Sequence, residues 1–316
     1  MQNAILLTKT NKKKHDYGRT VFMILMMLVP AVHFAFFWIY VNIDTISLSF
    51  QSLDYMTGDY VPAGMRNYVY LWQELTKEGS ALPTAIKNSF TLFLWNDFII
   101  VPISILCAFV LSKKMPFGSG FKVIFFLPSI ISVVVLTTIF QFMFDSTLGC
   151  VNIALEKMGL ENIIPQEGWF GSKNTAFKMI LFYGLWTGIG ANIVLLTGAI
   201  TRIPEDLFEA GRLDGLGLWG ELWHLVVPLI GTTTSTLMLM GTTVIFTYFL
   251  QPMLLTGANS ANVGTFTIAL YIVNNVRDVG NYSLGSAVGV ICIIVGTPIV
   301  LLVRKLLDWL FPAYEY

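Results

Sequence analysis

Long apolar stretches, separated by short polar segments, dominate the pattern of this chain. Six of them approach or exceed the roughly 20 residues that an α-helix needs to cross a bilayer. They are residues 20–41, 90–111, 123–144, 179–200, 225–255 and 286–303. A backbone in lipid must satisfy its own hydrogen bonds, and the alternation typical of a membrane β-strand is missing. The pattern therefore predicts an all-α fold, a polytopic membrane helical bundle with six transmembrane helices.

The composition agrees with a membrane protein, because 55% of the residues are hydrophobic and only 12% are charged. The first stretch could be a signal peptide, but its apolar core exceeds about 20 residues and no small-residue cleavage site follows, which favours a retained helix. Cys107 and Cys292 lie inside apolar stretches and Cys150 stands alone, so no disulfide framework or metal spacing is encoded. The net charge of zero gives no indication of a nucleic-acid partner.

The positions of the basic residues predict the orientation. Twelve of the 19 Lys and Arg residues lie in residues 1–19, around Lys113 and Arg202, and after the last stretch. Because positive residues next to spans stay in the cytoplasm, both termini are predicted to be cytoplasmic. We expect a basic cytoplasmic tail over residues 1–19 and a six-span domain over residues 20–316, whose loop at about 201–224 faces the cytoplasm.

A polar segment inside that loop is the most informative part of the sequence. Two acids directly follow Pro204, a residue that a first helical turn tolerates, and acids there suit the positive end of a helix. Gly215 and Gly217 suit a helix end. These features predict a short helix with Glu209 and Asp214 near its two ends. The alternative is an ordinary amphipathic loop whose acids are solvated.

The segment Glu209-Ala210-Gly211-Arg212-Leu213-Asp214-Gly215, followed thirteen residues after its last Gly by Pro228, resembles the EAA loop of permease subunits of bacterial ATP-binding cassette (ABC) importers. In that family the loop forms a cytoplasmic helix that docks on the ATPase subunit. Gly211 and Leu216 each replace an Ala of the family pattern. The resemblance implies that the ATPase-coupling residues are Glu209, Ala210, Gly211, Asp214, Gly215 and Pro228.

Other segments resemble the permeases of maltose and other oligosaccharides. The most specific matches are Leu255-Thr256-Gly257-Ala258-Asn259 and Thr267-Ile268-Ala269-Leu270-Tyr271-Ile272. The resemblance implies a type I importer permease fold in the bacterial cell membrane, a cycle of alternating access and no cofactor. The implied partners are a second homologous permease subunit, two ATPase subunits, an extracellular solute-binding protein and a sugar or oligosaccharide as substrate.

Polar and aromatic residues in the fourth and fifth stretches are candidates for the substrate path, because hydroxyls, amides and aromatic faces suit a neutral sugar. The candidates are Trp186, Thr187, Asn192, Thr243, Thr247, Tyr248 and Gln251. Each has a structural alternative. Thr hydroxyls commonly bond back to their own helix, and Trp and Tyr often mark the membrane interface.

The chain is not predicted to be an enzyme. It has no Gly-x-x-x-x-Gly-Lys-Ser/Thr phosphate loop, so ATP hydrolysis would fall to partner subunits. Two alternatives stay open: a permease of the same class for a polyol or glycerol phosphate, and an ion-coupled secondary carrier. A secondary carrier would use Asp97, an acid at membrane depth, but the pair of inverted repeats common in such carriers is not evident.

Overall fold

The computed structural model describes residues 17–54, 56–113, 117–277 and 280–312. The predicted basic tail up to residue 16 and Lys114 lie outside the described residues. The described chain is almost entirely helical, as predicted, with one short antiparallel strand pair. Single 3₁₀ turns cover Glu161–Ile163 and Gly257–Asn259. The helices and strands are α1 (Tyr17–Ser49), β1 (Gln51–Leu53), β2 (Tyr60–Pro62), α2 (Arg66–Thr76), α3 (Ala81–Ser112), α4 (Gly118–Ile130), α5 (Val133–Met143), α6 (Cys150–Lys157), α7 (Ala176–Ile200), α8 (Glu205–Leu213), α9 (Leu218–Leu229), α10 (Gly231–Thr247), α11 (Leu250–Thr256), α12 (Ser260–Val263), α13 (Ile268–Arg277) and α14 (Tyr282–Leu310).

Four helices, α1, α3, α7 and α14, are long and apolar enough to cross a membrane. They correspond to the first, second, fourth and sixth predicted stretches. A π-helical turn interrupts α1 at Ala35–Tyr40, and another interrupts α3 at Asn96–Ile100. Each π turn inserts an extra residue into the helical spacing and so shifts the face that the following side chains share.

The third and fifth predicted stretches are bent; the prolines inside them predict kinks, but not angles as large as these. α4 and α5 meet at 103°, and α9 and α10 meet at 72°. The first bend lies at Ile131 and Ser132, whose extended backbone follows Pro128. The second lies at Ile230, two residues after Pro228. The described chain thus has four straight spans, or up to six if each bent pair crosses once.

The apolar core consists of three clusters, and α3 takes part in all of them. The first cluster joins the start of α3 to α2, α10, α13 and α14. The second joins the last part of α3 to the end of α7, to α9 and to the start of α10. The third joins α3 to α5, α7 and α11 around the fully buried side chains of Phe140 and Tyr183. α3 is therefore the central helix of the bundle.

Two glycines mark the closest approaches between helices. A Cβ at Gly190 in α7 would clash with the backbone of Phe125 in α4, and one at Gly241 in α10 would clash with the side chains of Asn96 and Asp97 in α3. Small residues at such crossings are typical of membrane helices. The contact at Gly241 leaves Asp97 only 2% exposed, and its Oδ1 accepts a hydrogen bond of 3.0 Å from Asn96 Nδ2.

The first helix stands apart from the bundle. Among its residues from Tyr17 to Tyr40, none is buried in the described structure. The following segment, Val41–Ser49, contacts α14. Most of α1 therefore presents apolar side chains outward, as a helix surrounded by lipid or by another subunit would.

Candidate functional site

The predicted helix of the polar loop is α8. It begins after Pro204, which caps it, and ends at Leu213, so Glu209 lies at its centre rather than near one end. The prediction that Gly215 ends the helix is confirmed, since its φ is +85°. The N–H of Gly215 donates to the carbonyl of Arg212 at 3.1 Å, and the N–H of Leu216 donates to that of Gly211 at 2.9 Å. This pair of bonds is a Schellman cap, which requires the left-handed conformation that glycine adopts readily.

Leu216 folds back onto α8 and onto the start of α9. A Cβ built on Gly211 would lie 3.0 Å from Leu216 Cδ1, and one on Gly220 would lie 3.1 Å from Leu216 Cδ2. The Leu side chain therefore occupies the space that side chains at these two glycines would need. Such an apolar contact across the last turn commonly accompanies a Schellman cap. It fixes the angle between α8 and α9.

Glu221 in α9 joins α8 to α3. Its side chain is 6% exposed and forms ion pairs with Lys113, directly after α3, and with Arg212 Nε of α8 at 3.1 Å. Lys113 Nζ also lies 4.7 Å from the ring centre of Phe109 and 5.1 Å from that of Phe208. Sequence reasoning used Lys113 to predict the orientation and did not single out Glu221. Nothing in the local sequence marks that acid, because its partner Lys113 is 108 residues away.

The opposite face of α8 is free within the described chain. Glu209, Ala210 and Asp214 are exposed, and Leu213 is 89% exposed. Gly211, by contrast, is buried against Leu216, and Pro228 lies at the bend between α9 and α10. Four of the six predicted coupling residues thus lie on this exposed face or in the cap that ends α8, namely Glu209, Ala210, Asp214 and Gly215. The other two, Gly211 and Pro228, do not lie on the exposed face.

A cavity of about 380 Å³ lies beside α8, on the side of Lys113. Its lining combines Ser112, Thr201, Glu205 and Arg212 with apolar side chains. No metal site is expected there, since no group of three or more His, Cys, Asp or Glu side chains could hold an ion in the part of the chain that the structure describes.

The four threonine and tryptophan candidates have structural partners. Trp186 stacks on Phe140, with ring centres 5.8 Å apart. The hydroxyl of Thr187 donates to the carbonyl of Tyr183 at 2.9 Å, and that of Thr247 donates to Thr243 at 3.0 Å. The hydroxyl of Thr243 donates to Met240 in the same way. These contacts agree with the structural alternatives, although a Thr hydroxyl that donates can still accept.

Tyr248 is different, because its hydroxyl is buried and has no hydrogen-bond partner in the described structure. It caps α10 at the break before α11, and a Cβ at Gly184 would lie 3.7 Å from its hydroxyl oxygen. Tyr248 and Trp186 both pack against the third cluster. Gln251 in α11 and Asn192 in α7 are half-buried. The structure thus brings Trp186 and Tyr248 to one cluster, while Thr243 and Thr247 lie on an exposed face of α10.

Asp97 lies in the π-helical turn of α3 and borders an apolar cavity of about 400 Å³. Trp219 and Trp223 of α9 line the same cavity and are both exposed. They are four residues apart and share one helix face. Exposed Trp side chains at one end of a membrane bundle are typical of a membrane–water interface.

Comparison with known proteins decides the class of this molecule. Residues 100–315 match the family described as "Binding-protein-dependent transport system inner membrane component". The chain belongs to this family. It is therefore a multi-pass inner-membrane permease, a transport subunit rather than an enzyme. The matched region includes α8, its glycine cap and the whole ion-pair cluster around Glu221.

Two relatives and one solved structure illustrate the family. The chain is 28% identical over 292 residues to "Probable ABC transporter permease protein YurN" of Bacillus subtilis, covering 89% of this chain and 94% of the relative. It is 25% identical to the arabinooligosaccharides transport system permease protein AraP of the same organism, covering 94% and 89%. A crystal structure of a bacterial ABC transporter for import of the acidic polysaccharide alginate contains a chain that matches with a TM-score of 0.78 at 20% identity, covering 93% and 97%. This last likeness shows a shared fold.

Proposed function

We propose that the chain is one transmembrane subunit of an ATP-driven importer, and that it moves a sugar or oligosaccharide into the cytoplasm by alternating access. The observation that carries the proposal is α8, a capped helix that follows the predicted EAA pattern and presents Glu209, Leu213 and Asp214 outward. The family supports the transport role, and the transported sugars named for its relatives support the substrate class.

The proposed assembly has a second, homologous permease, two ATPase subunits and an extracellular solute-binding protein. The family description names binding-protein dependence. Because the basic residues predict cytoplasmic termini, α8 and the ATPase subunits would lie on the cytoplasmic side. Phe311, directly after α14, packs against Gly231 at the start of α10, so the end of α14 and the start of α10 lie at the same end of the bundle. Trp219, Trp223 and Trp309 are exposed at this end and suit a membrane–water interface there.

In this mechanism, ATP binding moves the ATPase subunits together, and α8 carries that movement into the spans. Glu209, Ala210 and Asp214 would contact the ATPase directly. Gly215 holds the end of the helix in shape. Gly211 and Pro228 would not contact the ATPase. Gly211 leaves space for the side chain of Leu216, and Pro228 lies at the bend between α9 and α10.

Tyr248 is the strongest of the candidates for the solute path. Its buried hydroxyl has no protein partner in the described structure, and a sugar hydroxyl could supply one. The aromatic face of Trp186 packs against the same cluster and suits the apolar side of a sugar ring. The three threonines Thr187, Thr243 and Thr247 are candidates of lower rank, because their hydroxyls already bond to their own helices. The half-buried Asn192 and Gln251 also rank below Tyr248.

The proposal is tested by purifying the chain from its native membrane in detergent and identifying the chains that accompany it by mass spectrometry. We expect a second permease and an ATPase, and ATP hydrolysis stimulated by the binding protein with an oligosaccharide. Maltodextrins, arabino-oligosaccharides and alginate oligosaccharides form the first panel, and glycerol phosphate and polyols the second. A chain that purifies alone and transports in vesicles without ATP would contradict the proposal and favour a secondary carrier.

A further inference from the structure

Glu221 lies between the two parts of the EAA resemblance, residues 209–215 and Pro228, and belongs to neither. It is nevertheless one of two charged residues, with Asp97, that are buried in the described structure. A buried carboxylate is costly unless cations and hydrogen bonds compensate its charge. Each carboxylate oxygen of Glu221 has a cationic partner, since Oε2 pairs with Lys113 and Oε1 pairs with Arg212. A residue held in this way has a role that the EAA resemblance does not explain.

The two partners of Glu221 come from different parts of the bundle. Lys113 directly follows α3, the central helix, and Arg212 lies in the last turn of α8. Glu221 itself belongs to the π-helical turn Glu221–Val226 within α9. One carboxylate therefore connects α8 to α3 and α9 at once, through Arg212, which lies beside Glu209 on the helix surface because the two are three residues apart.

Apolar contacts at the same junction leave little freedom for α8 to rotate. The ammonium of Lys113 lies over the ring of Phe208 in α8 as well as that of Phe109 in α3, a cation–π arrangement. Leu216 fills the space between Gly211 and Gly220. Leu207 and Phe208 of α8 also pack against the second cluster, and two turns of the chain, residues 201–204 and 214–217, join α8 to its neighbours.

We propose that Glu221 is a positioning residue that fixes α8 to the ends of α3 and α9, so that the three move as one body when a partner moves α8. The inference rests on the proposed function, in which an ATPase subunit is that partner. Movement delivered to the exposed face of α8 reaches α3 through Arg212, Glu221 and Lys113. Without the carboxylate, α8 is held by apolar contacts alone, those of Leu207, Phe208 and Leu216, and less of the movement reaches α3.

The first test requires no partner protein. Glu221→Gln keeps the size of the side chain and removes its charge, and Asp308→Asn is the matched control, since its pair with Arg304 at 3.9 Å is exposed. Hydrogen–deuterium exchange of the purified chain is followed in peptides that cover α8. Gln pairs with neither cation, and because Lys113 and Arg212 are 27% and 56% exposed and can be hydrated, the loss is that of hydrogen bonds to a charged group. We therefore expect exchange in α8 to accelerate roughly tenfold in Glu221→Gln alone. Unchanged exchange would overturn the proposal.

The second test uses the intact complex and separates positioning from folding. We expect Glu221→Gln to insert and to retain its ATPase subunits, while the ratio of stimulated to basal ATP hydrolysis with the oligosaccharide panel falls roughly tenfold, as coupling free energies allow. Glu221→Asp, which keeps the charge, should restore part of the ratio. Equal losses of insertion, ATPase binding and stimulation would mean a merely structural role. If the wild-type chain recovers no ATPase, the proposed function fails, whereas the exchange result still decides whether Glu221 fixes α8.

Discussion

Gly211 and Leu216, the two departures from the EAA pattern, lie against each other in the structure. The family pattern has Ala at both positions, whereas this chain has the smaller Gly at position 211 and the larger Leu at position 216. The Leu side chain occupies space that a Cβ at residue 211 would crowd, at 3.0 Å. The two substitutions are therefore coupled at the level of packing, and each is expected to be tolerated best in the presence of the other.

This coupling predicts a non-additive pair of variants. Gly211→Ala should gain helix propensity of up to about 1 kcal/mol, but crowding by Leu216 should offset much of the gain. In the background of Leu216→Ala the crowding is gone and the full gain should appear. We expect a coupling free energy of about 0.5–1 kcal/mol, measured as unfolding free energies of the four variants in detergent. Gly217→Ala, which has open space around it, serves as control. Additive effects would contradict the contact.

Tyr248 and Tyr183 offer a matched pair of buried hydroxyls. The hydroxyl of Tyr183 accepts a hydrogen bond of 2.9 Å from Thr137, whereas that of Tyr248 has no partner in the described residues. We expect Tyr183→Phe to cost roughly 1 kcal/mol of stability and Tyr248→Phe to cost nothing or to stabilise. Thermal unfolding of both variants checks this. If Tyr248 also contacts the solute, its variant alone should raise the KM of uptake while insertion stays normal.

At the scale of elements, the bends set which helices can cross the membrane. With a rise of about 1.5 Å per residue, the 13 residues of α4 reach only about 20 Å, less than the roughly 30 Å of the hydrocarbon core. The 11 residues of α5 reach less far still, so neither helix crosses the membrane alone. α4 packs against α7 before this bend, at Gly190, where the absence of a Cβ lets the backbone of Phe125 come close.

Two glycines of α7 test this packing, because they differ only in their surroundings. A Cβ at Gly190 would clash with backbone atoms of α4, while the described structure has open space around Gly198. We predict that Gly190→Ala lowers stability by about 1–3 kcal/mol through overpacking, and that Gly198→Ala is neutral or slightly stabilising. Folded yield and thermal unfolding in detergent measure the difference. Equal behaviour of the two variants would mean that α4 does not rest on α7 as described.

The spans could be predicted from the sequence because hydrophobicity and length alone decide them, and α8 could be predicted because its acids, its Pro and its Gly act locally. The bends could not, since residues 123–144 stay apolar through Ile131 and a Pro indicates a kink without its angle. The role of Glu221 could not either, because its pairing with Lys113 depends on tertiary packing. Tyr248 was a candidate on composition, but only the fold leaves its hydroxyl without a partner.

At the scale of the whole molecule, the exposed face of α8 predicts how the assembly is held together. Glu209→Lys reverses a charge at the centre of that face, so it should reduce recovery of the ATPase roughly tenfold or more, as at other interface centres. Glu161→Lys makes the same change at an exposed site in the segment between α6 and α7 and should leave recovery unchanged. Co-purification from membranes with equal permease content measures both. Equal recovery would place the ATPase contact elsewhere.

The contact between Val41–Ser49 and α14 has a consequence for biosynthesis. The end of α1 bonds at once to nearby residues, since Asn67 and Tyr68 of α2 donate hydrogen bonds to Ser49, but its packing surface on α14 lies more than 200 residues further along the chain and is made much later. Until then α1 can reside in lipid on its own, because Tyr17–Tyr40 needs no neighbour within this chain. Closure of the bundle is thus a late event of synthesis. A nascent chain that stops before Tyr282–Leu310 lacks the main surface on which Val41–Ser49 packs.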